Sequence, residues 1–345
     1  MRRMWRYLVP LCLLLLGAAA AGLVWVGARS LDEPVRLAAP VRFKVAPGTS
    51  FARIAAELAA QGVIAHPRAW VLFARLRNLA PAVKAGEYEI QPGITPRELL
   101  TKMVNGQVLL HSFTIVDGWT VRELLEALRR NPDITLTLAD KTPNVMEKLG
   151  VPGLESEGQF LPETYRFIAG TTDVELLRVA HAALVKELES DWTDRDPGLP
   201  LQNSRELLIM ASIVEKESGL PQELKIIAGL YLHRLSIGMR LQADPTVIYG
   251  MGDRYDGDIR TVDLRTDGPY NSYTRAGLPP TPIALAGAAV IRATAHPEKT
   301  DAIYFVASPK GDGSHVFSAT LQEHNAAVAS YVAHQRRKAA GDGAR

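Results

Sequence analysis

The run Asn203-Ser-Arg-Glu-Leu-Leu-Ile-Met-Ala-Ser-Ile-Val-Glu-Lys-Glu-Ser-Gly219 decides how the chain is read. Asn203, with Glu206 three positions on, makes a capping-box-like helix start, Asn replacing the usual Ser or Thr. Gly219 and Pro221 mark the stop. Between them Leu207, Met210, Ala211 and Val214 recur at helical spacing. At about 100° per residue, Glu217 falls about 20° from Met210, on the apolar side, and Arg205 and Lys216 fall on the wet side. Glu215 lies about 160° from Glu217 by the same count, so the two cannot form a catalytic pair. Burial and the negative end of a helix both disfavour a charged carboxyl in the last turn. That suits a general acid working near neutral pH. Periodicity alone leaves open the bland alternative, a solvated surface glutamate.

The flanking sequence is dense in polar groups. A second helix is predicted from Pro221 to about Ser236, with Leu224, Ile227, Ala228, Tyr231 and Leu235 inward and Gly238 ending it. Leu241-Gln-Ala-Asp-Pro-Thr-Val-Ile-Tyr-Gly250 then gathers Gln242, Asp244, Thr246 and Tyr249. Residues 269–283 read as a Pro-stiffened loop with Tyr270, Asn271, Tyr273 and Arg275. Aromatics beside amides suit sugars, which offer apolar ring faces and many hydroxyls. Tyrosines packed only for stability are the alternative.

The composition excludes several classes. The 345 residues allow about two domains. A net charge of +2 gives no case for a nucleic-acid surface. The single cysteine, Cys12, excludes intrachain disulfides and cysteine metal clusters. The eight histidines show neither H-x-H nor H-E-x-x-H spacing, so neither a metal nor another cofactor is expected. Arg2, Arg3 and Arg6 precede an uncharged apolar run from Tyr7 to Ala28. Such a run is long enough to cross a hydrocarbon core of about 30 Å, and the basic flank keeps the N-terminus cytoplasmic. A cleaved signal peptide would stop near Ala18–Ala21, whereas apolar character continues through Val24, Trp25 and Val26.

The expected organisation is α+β. A cytoplasmic tip and single transmembrane helix occupy residues 1–28, and a stalk occupies 29–40. A small αβ module follows at 41–107, a larger mixed α/β domain built on the catalytic helix at 108–337, and a disordered tail at 338–345. Within 41–107 the order is strand (Val41–Val45), two helices, and strand (Lys84–Ile90), which resembles a LysM-like glycan-binding module. Beyond it, a strand over Val108–Val116, helices over 121–130 and 173–190, a hairpin from 302 to 318 and a last helix over 321–337 are predicted.

Four blocks together resemble the endolytic murein transglycosylase (YceG-like) family, along the whole chain. They are Ala211-Ser-Ile-Val-Glu-Lys-Glu-Ser218, the long run from Arg234 to Gly252, Tyr270-Asn-Ser-Tyr-Thr274 with Gly277-Leu-Pro-Pro280, and Ala295-His-Pro297. Glu157–Tyr165 also matches a family run, with Gln159 where a bulky residue is common. The resemblance implies that Glu217 is the catalytic acid. It implies cleavage of the MurNAc-β-1,4-GlcNAc bond within peptidoglycan strands, without water, leaving 1,6-anhydro-MurNAc ends. It further implies an inner-membrane protein with its catalytic domain in the periplasm, placed near peptidoglycan synthases. Ser218, Gln242, Asp244, Tyr249, Asn271 and Tyr273 are the candidates for sugar contacts and for orienting Glu217. Two other readings stay open: a muramidase-type hydrolase, with Glu157, Glu163 or Asp244 activating water, and a non-enzymatic wall-binding anchor using residues 41–107.

Overall fold

The computed structural model describes residues 26–139 and 145–342. The chain divides into two units, one of residues up to 111 with 166–171, the other of 112–165 with 172 onward. Apart from its last three residues, the apolar run Tyr7–Ala28 lies outside the described residues. Among those described, no helix is long and apolar enough to cross a membrane.

In the first unit, β1 (Val41–Val45) leads to α1 (Phe51–Ala60), α2 (Pro67–Leu76), β2 (Gly86–Ile90) and α3 (Pro96–Val104). Ser50 caps α1 by accepting from the Arg53 amide, Pro67 opens α2, and Thr95 with Glu98 forms a full capping box on α3. β1 and β2 pair antiparallel, from Val41 opposite Ile90 to Val45 opposite Gly86. Alternation buries Phe43, Val45, Tyr88 and Ile90 beside Leu58, Trp70 and Leu99. The buried polar tips find partners: Trp70 Nε1 donates to the Pro96 carbonyl at 2.9 Å, and the Tyr88 hydroxyl donates to the Lys84 carbonyl at 2.7 Å. The expected strand–helix–helix–strand order is present.

The chain continues through β3 (Leu110–Thr114), α4 (Val121–Arg130), α5 (Val145–Leu149), β4 (Thr164–Ile168) and α6 (Asp173–Asp194). Next come α7 (Ser204–Glu217), α8 (Leu224–Ser236), α9 (Asp244–Met251), α10 (Thr261–Arg265) and α11 (Ala288–Ala295). A hairpin, β5 (Tyr304–Ala307) and β6 (His315–Ser318), precedes α12 (Leu321–Asp342). β3 pairs with β4.

Helix α7 is the axis of the second unit. Helices α6, α8, α9 and α11 pack against it, and every residue from Leu207 to Val214 is buried. The one-sided apolar stripe expected from periodicity is therefore too narrow, because neighbours enclose the helix all round. Asn203 caps α7 as expected, accepting from the Glu206 amide at 3.0 Å, but Glu206 reaches past it to the Gln202 amide at 2.8 Å.

Other departures have local causes. Helix α9 forms where a polar segment was expected, because Pro245 stands in its first turn and needs no amide partner there. Strand β4 and helix α5 are five-residue elements in stretches where no element is predicted from the sequence. Helix α12 runs through Asp342, past residue 337, where a disordered tail was expected to begin.

Gly229 marks a close backbone approach in this unit. A Cβ there would lie 2.1 Å from the Glu298 carbonyl oxygen, and the Glu298 amide donates to Lys225 O at 3.0 Å. Gly229→Ala is accordingly expected to destabilise the fold by about 1–3 kcal/mol in urea unfolding, despite alanine's better helix propensity. A stabilised variant would contradict this packing.

Candidate active site

The final turn of α7 sends its two carboxylates in different directions. Glu215 accepts from the Gly287 amide at 3.0 Å, at the start of α11. Burial raises its pKa, and the neighbouring Asp117 carboxylate pushes it the same way. Glu217 instead accepts a 2.6 Å hydrogen bond from the Tyr231 hydroxyl on its Oε1. Among the described residues, Oε2 has no protein hydrogen-bond partner. The angular separation expected from the sequence thus becomes two separate destinations.

Burial raises the Glu217 pKa from the ordinary 4.5 to about 7. The Tyr231 bond opposes the rise, the Asp244 charge adds to it, and His315 and Arg234 oppose it. At neutral pH a substantial share of Glu217 is therefore protonated and able to donate. Tyr231 is fully buried, and desolvation followed by the nearby Glu217 charge keeps its hydroxyl protonated.

Glu217 opens into a cleft of about 470 Å³. One wall comes from the segment after α8, with Gln242 and Asp244, and from Tyr273, whose hydroxyl donates to Asp244 Oδ1 at 2.5 Å. The other comes from Tyr304 and Phe305 on β5 and from His324 and Asn325 on α12. The His324 ring stacks on Tyr304, centroids 5.1 Å apart. Arg234 lies beneath, with its Nε donating to the Ile303 carbonyl at 2.6 Å and Nη1 donating to the Leu241 carbonyl. Its guanidinium is 5.8 Å from the ring centres of both Tyr231 and Tyr304.

Of the residues singled out from sequence, Glu217, Gln242, Asp244 and Tyr273 line this cleft together. Ser218, Tyr249 and Asn271 do not line it. The Ser218 hydroxyl accepts from the Leu220 amide at 3.1 Å and closes the turn after α7. The Asn271 amide donates to the carbonyls of Asp263, Leu264 and Thr266, which holds the loop after α10. Tyr249 donates to Glu157 Oε2 at 3.3 Å. Glu157 Oε1 in turn accepts from the Val121 amide at 3.0 Å, and burial lifts this carboxyl to about 7 as well.

Sequence reasoning passed over Tyr231 and Arg234 as site residues, and over the β5–α12 wall entirely. Tyr231 was legible as an inward residue but not as a donor. Arg234 occupies the buried stripe of α8 where Leu235 was expected, and Leu235 is only partly buried. The signal was there: an arginine three residues beyond an inward tyrosine shares its face.

The model of the YceG-like family matches residues 43–330. The chain belongs to the YceG-like family. It is 29% identical over 333 residues to a protein of Bacillus subtilis named endolytic murein transglycosylase, covering 90% of each chain. It is 27% identical to a Streptococcus pneumoniae protein of the same name, over 83% of this chain and 57% of that longer relative. The crystal structure of a putative YceG-like protein from Listeria monocytogenes superposes with a TM-score of 0.51 at 27% identity, covering 83% of this chain and 98% of that one.

Two pH-dependent outcomes follow. The Tyr231 bond lowers the Glu217 pKa, so Tyr231→Phe should move the alkaline limb of the pH–rate profile upward and cost up to about tenfold in rate. A limb that moves down would contradict the assignment. Glu157 and Glu217 both have folded pKa values raised above 4.5, so their neutral forms favour the folded state. That contribution is complete below about 4.5 and is lost as pH rises through about 7. Glu157→Gln, which stays neutral, should flatten the decline of Tm between about pH 5 and pH 8. An unchanged slope would rule out burial of Glu157 as a source of it.

Proposed function

We propose that the protein is a peptidoglycan lytic transglycosylase in which Glu217 serves first as acid and then as base. The observation that carries the reading is a mostly buried carboxyl with a pKa of about 7, one oxygen held by Tyr231, opening into a polar and aromatic cleft. The names of the relatives support the substrate class.

Neutral Glu217 donates its proton to the glycosidic oxygen as the C1–O4 bond of MurNAc breaks. The MurNAc O6 then closes on C1, and the glutamate takes the O6 proton. One C–O bond breaks and one forms, the O6 proton replaces the one given to the leaving oxygen, and the carboxyl ends as it began. Positive charge developing at C1 is favoured by the carboxylate of Asp244, whose direction is held by Tyr273. Endolytic cutting of nascent strands would end their elongation. Residues 7–28 would hold the chain in the inner membrane with its catalytic unit in the periplasm, beside peptidoglycan synthases, and the 41–107 module would bind glycan.

A hydrolase needs a second carboxyl, about 5–5.5 Å away for retention or about 6.5–9.5 Å for inversion. Of the three candidates to activate water, Asp244 lines the cleft, whereas Glu157 and Glu163 do not. A non-enzymatic anchor gives no reason for a desolvated acid in a cleft. Purified protein acting on intact sacculi should release fragments with 1,6-anhydro-MurNAc ends by mass spectrometry. Reducing ends alone would decide for hydrolysis. Glu217→Gln should lower the rate by about 10²–10⁴-fold with Tm preserved.

A further inference from the structure

Gln242 has a backbone conformation that its side chain does not explain. Its φ is +51°, in the left-handed region that glycine favours. Among the described residues one other non-glycine has positive φ, Asn78 at +53°. Asn78 stands just beyond the end of α2, a position where left-handed asparagine commonly terminates a helix. Gln242 terminates no helix, and its longer side chain lacks asparagine's short reach to its own backbone.

The conformation is imposed from outside. Arg234 Nη1 donates to the carbonyl of Leu241. The Gln242 amide donates to the Ser272 carbonyl at 3.2 Å, and the Ala243 amide donates to Ser272 Oγ at 2.9 Å. The hydroxyls of Ser272 and Thr246, both buried, bond to one another at 2.8 Å. Buried groups thus pin residues 241–243 on two sides. What they hold in the cleft is an exposed amide that bonds to no protein group among the described residues. A left-handed backbone at a non-glycine residue, clamped by buried groups so that it presents an unpartnered polar group beside an acid, is the pattern of a ligand contact.

We propose that Gln242 reads the N-acetyl group of an amino sugar in the glycan strand, Oε1 accepting from the acetamido N–H and Nε2 donating to the acetamido carbonyl. The inference rests on the glycan reading above. A primary amide meets an acetamide with one donor and one acceptor at once. On Gln242's own wall the Asp244 carboxylate only accepts, Arg234 beneath only donates, and the cleft's other primary amide, Asn325, stands on the opposite wall. A de-N-acetylated sugar offers an ammonium instead, and leaves Nε2 without an acceptor.

The test uses the full chain in detergent micelles, in a Glu217→Gln background so that strands survive titration. Solubilised glycan strands are supplied fully N-acetylated or chemically de-N-acetylated. The parent should bind the acetylated strand about tenfold or more tightly than its counterpart. Gln242→Gly should erase that preference while keeping the parent's Tm or exceeding it, since glycine adopts this φ without strain. A preference that survives in Gln242→Gly, binding of neither strand by the parent, or a clear fall in Tm on Gln242→Gly would each overturn the proposal. Failure of the cleavage reading looks different: the preference would be present, yet the chain with Glu217 intact would cut neither strand.

Discussion

A carboxyl taken out of water either finds a donor or gives up its charge, and Glu217 is held between those outcomes. Desolvation alone would leave it a permanently neutral and very weak acid, reluctant to release its proton. The 2.6 Å bond from Tyr231, with Arg234 and His315 nearby, stabilises the charged form enough to bring the pKa back to about 7. A group that must serve as acid and base in one turnover works best when both forms are accessible. The rest of the second unit can be understood as the means of keeping that carboxyl, that phenol and that guanidinium together.

Helix α8 is the main instrument. It supplies Tyr231 and, one turn later, Arg234, so two of the groups that set the acid's behaviour move as one rigid body. Arg234 then ties outward, to the Ile303 carbonyl ahead of β5 and to the Leu241 carbonyl ahead of α9. A buried cation needs acceptors, and here the acceptors are backbone groups of the two segments that form the cleft walls. Satisfying one charge therefore also positions the walls. The close passage of Gly229 against Glu298 seats the same helix from its other side.

How much of this was legible depended on whether the information was local. Helix α7 could be read because capping residues and apolar periodicity lie within one short run, and the same count separated Glu215 from Glu217. The paired strands of the first unit were legible for the same reason. Strand β4 was not, since five residues between turn formers make a strand only when β3 lies alongside. Nor was the partnership of Tyr231 with Glu217, which depends on how two helices pack rather than on spacing along either. Asn271 shows the opposite error. Its amide suggested a sugar contact, yet three backbone carbonyls already occupy it. Composition can nominate polar residues, but only the fold decides which still have unused hydrogen-bonding capacity.

The second wall of the cleft has a consequence in time. Glu217, Tyr231 and Arg234 lie in consecutive helices and can associate early, whereas His324 and Asn325 come from the last described helix. While the chain is being made, the acid exists well before the surface that closes its cleft. An incomplete chain therefore has a proton donor but only part of a binding site. In this order of assembly the cleft stays one-walled until β5 and α12 have been made.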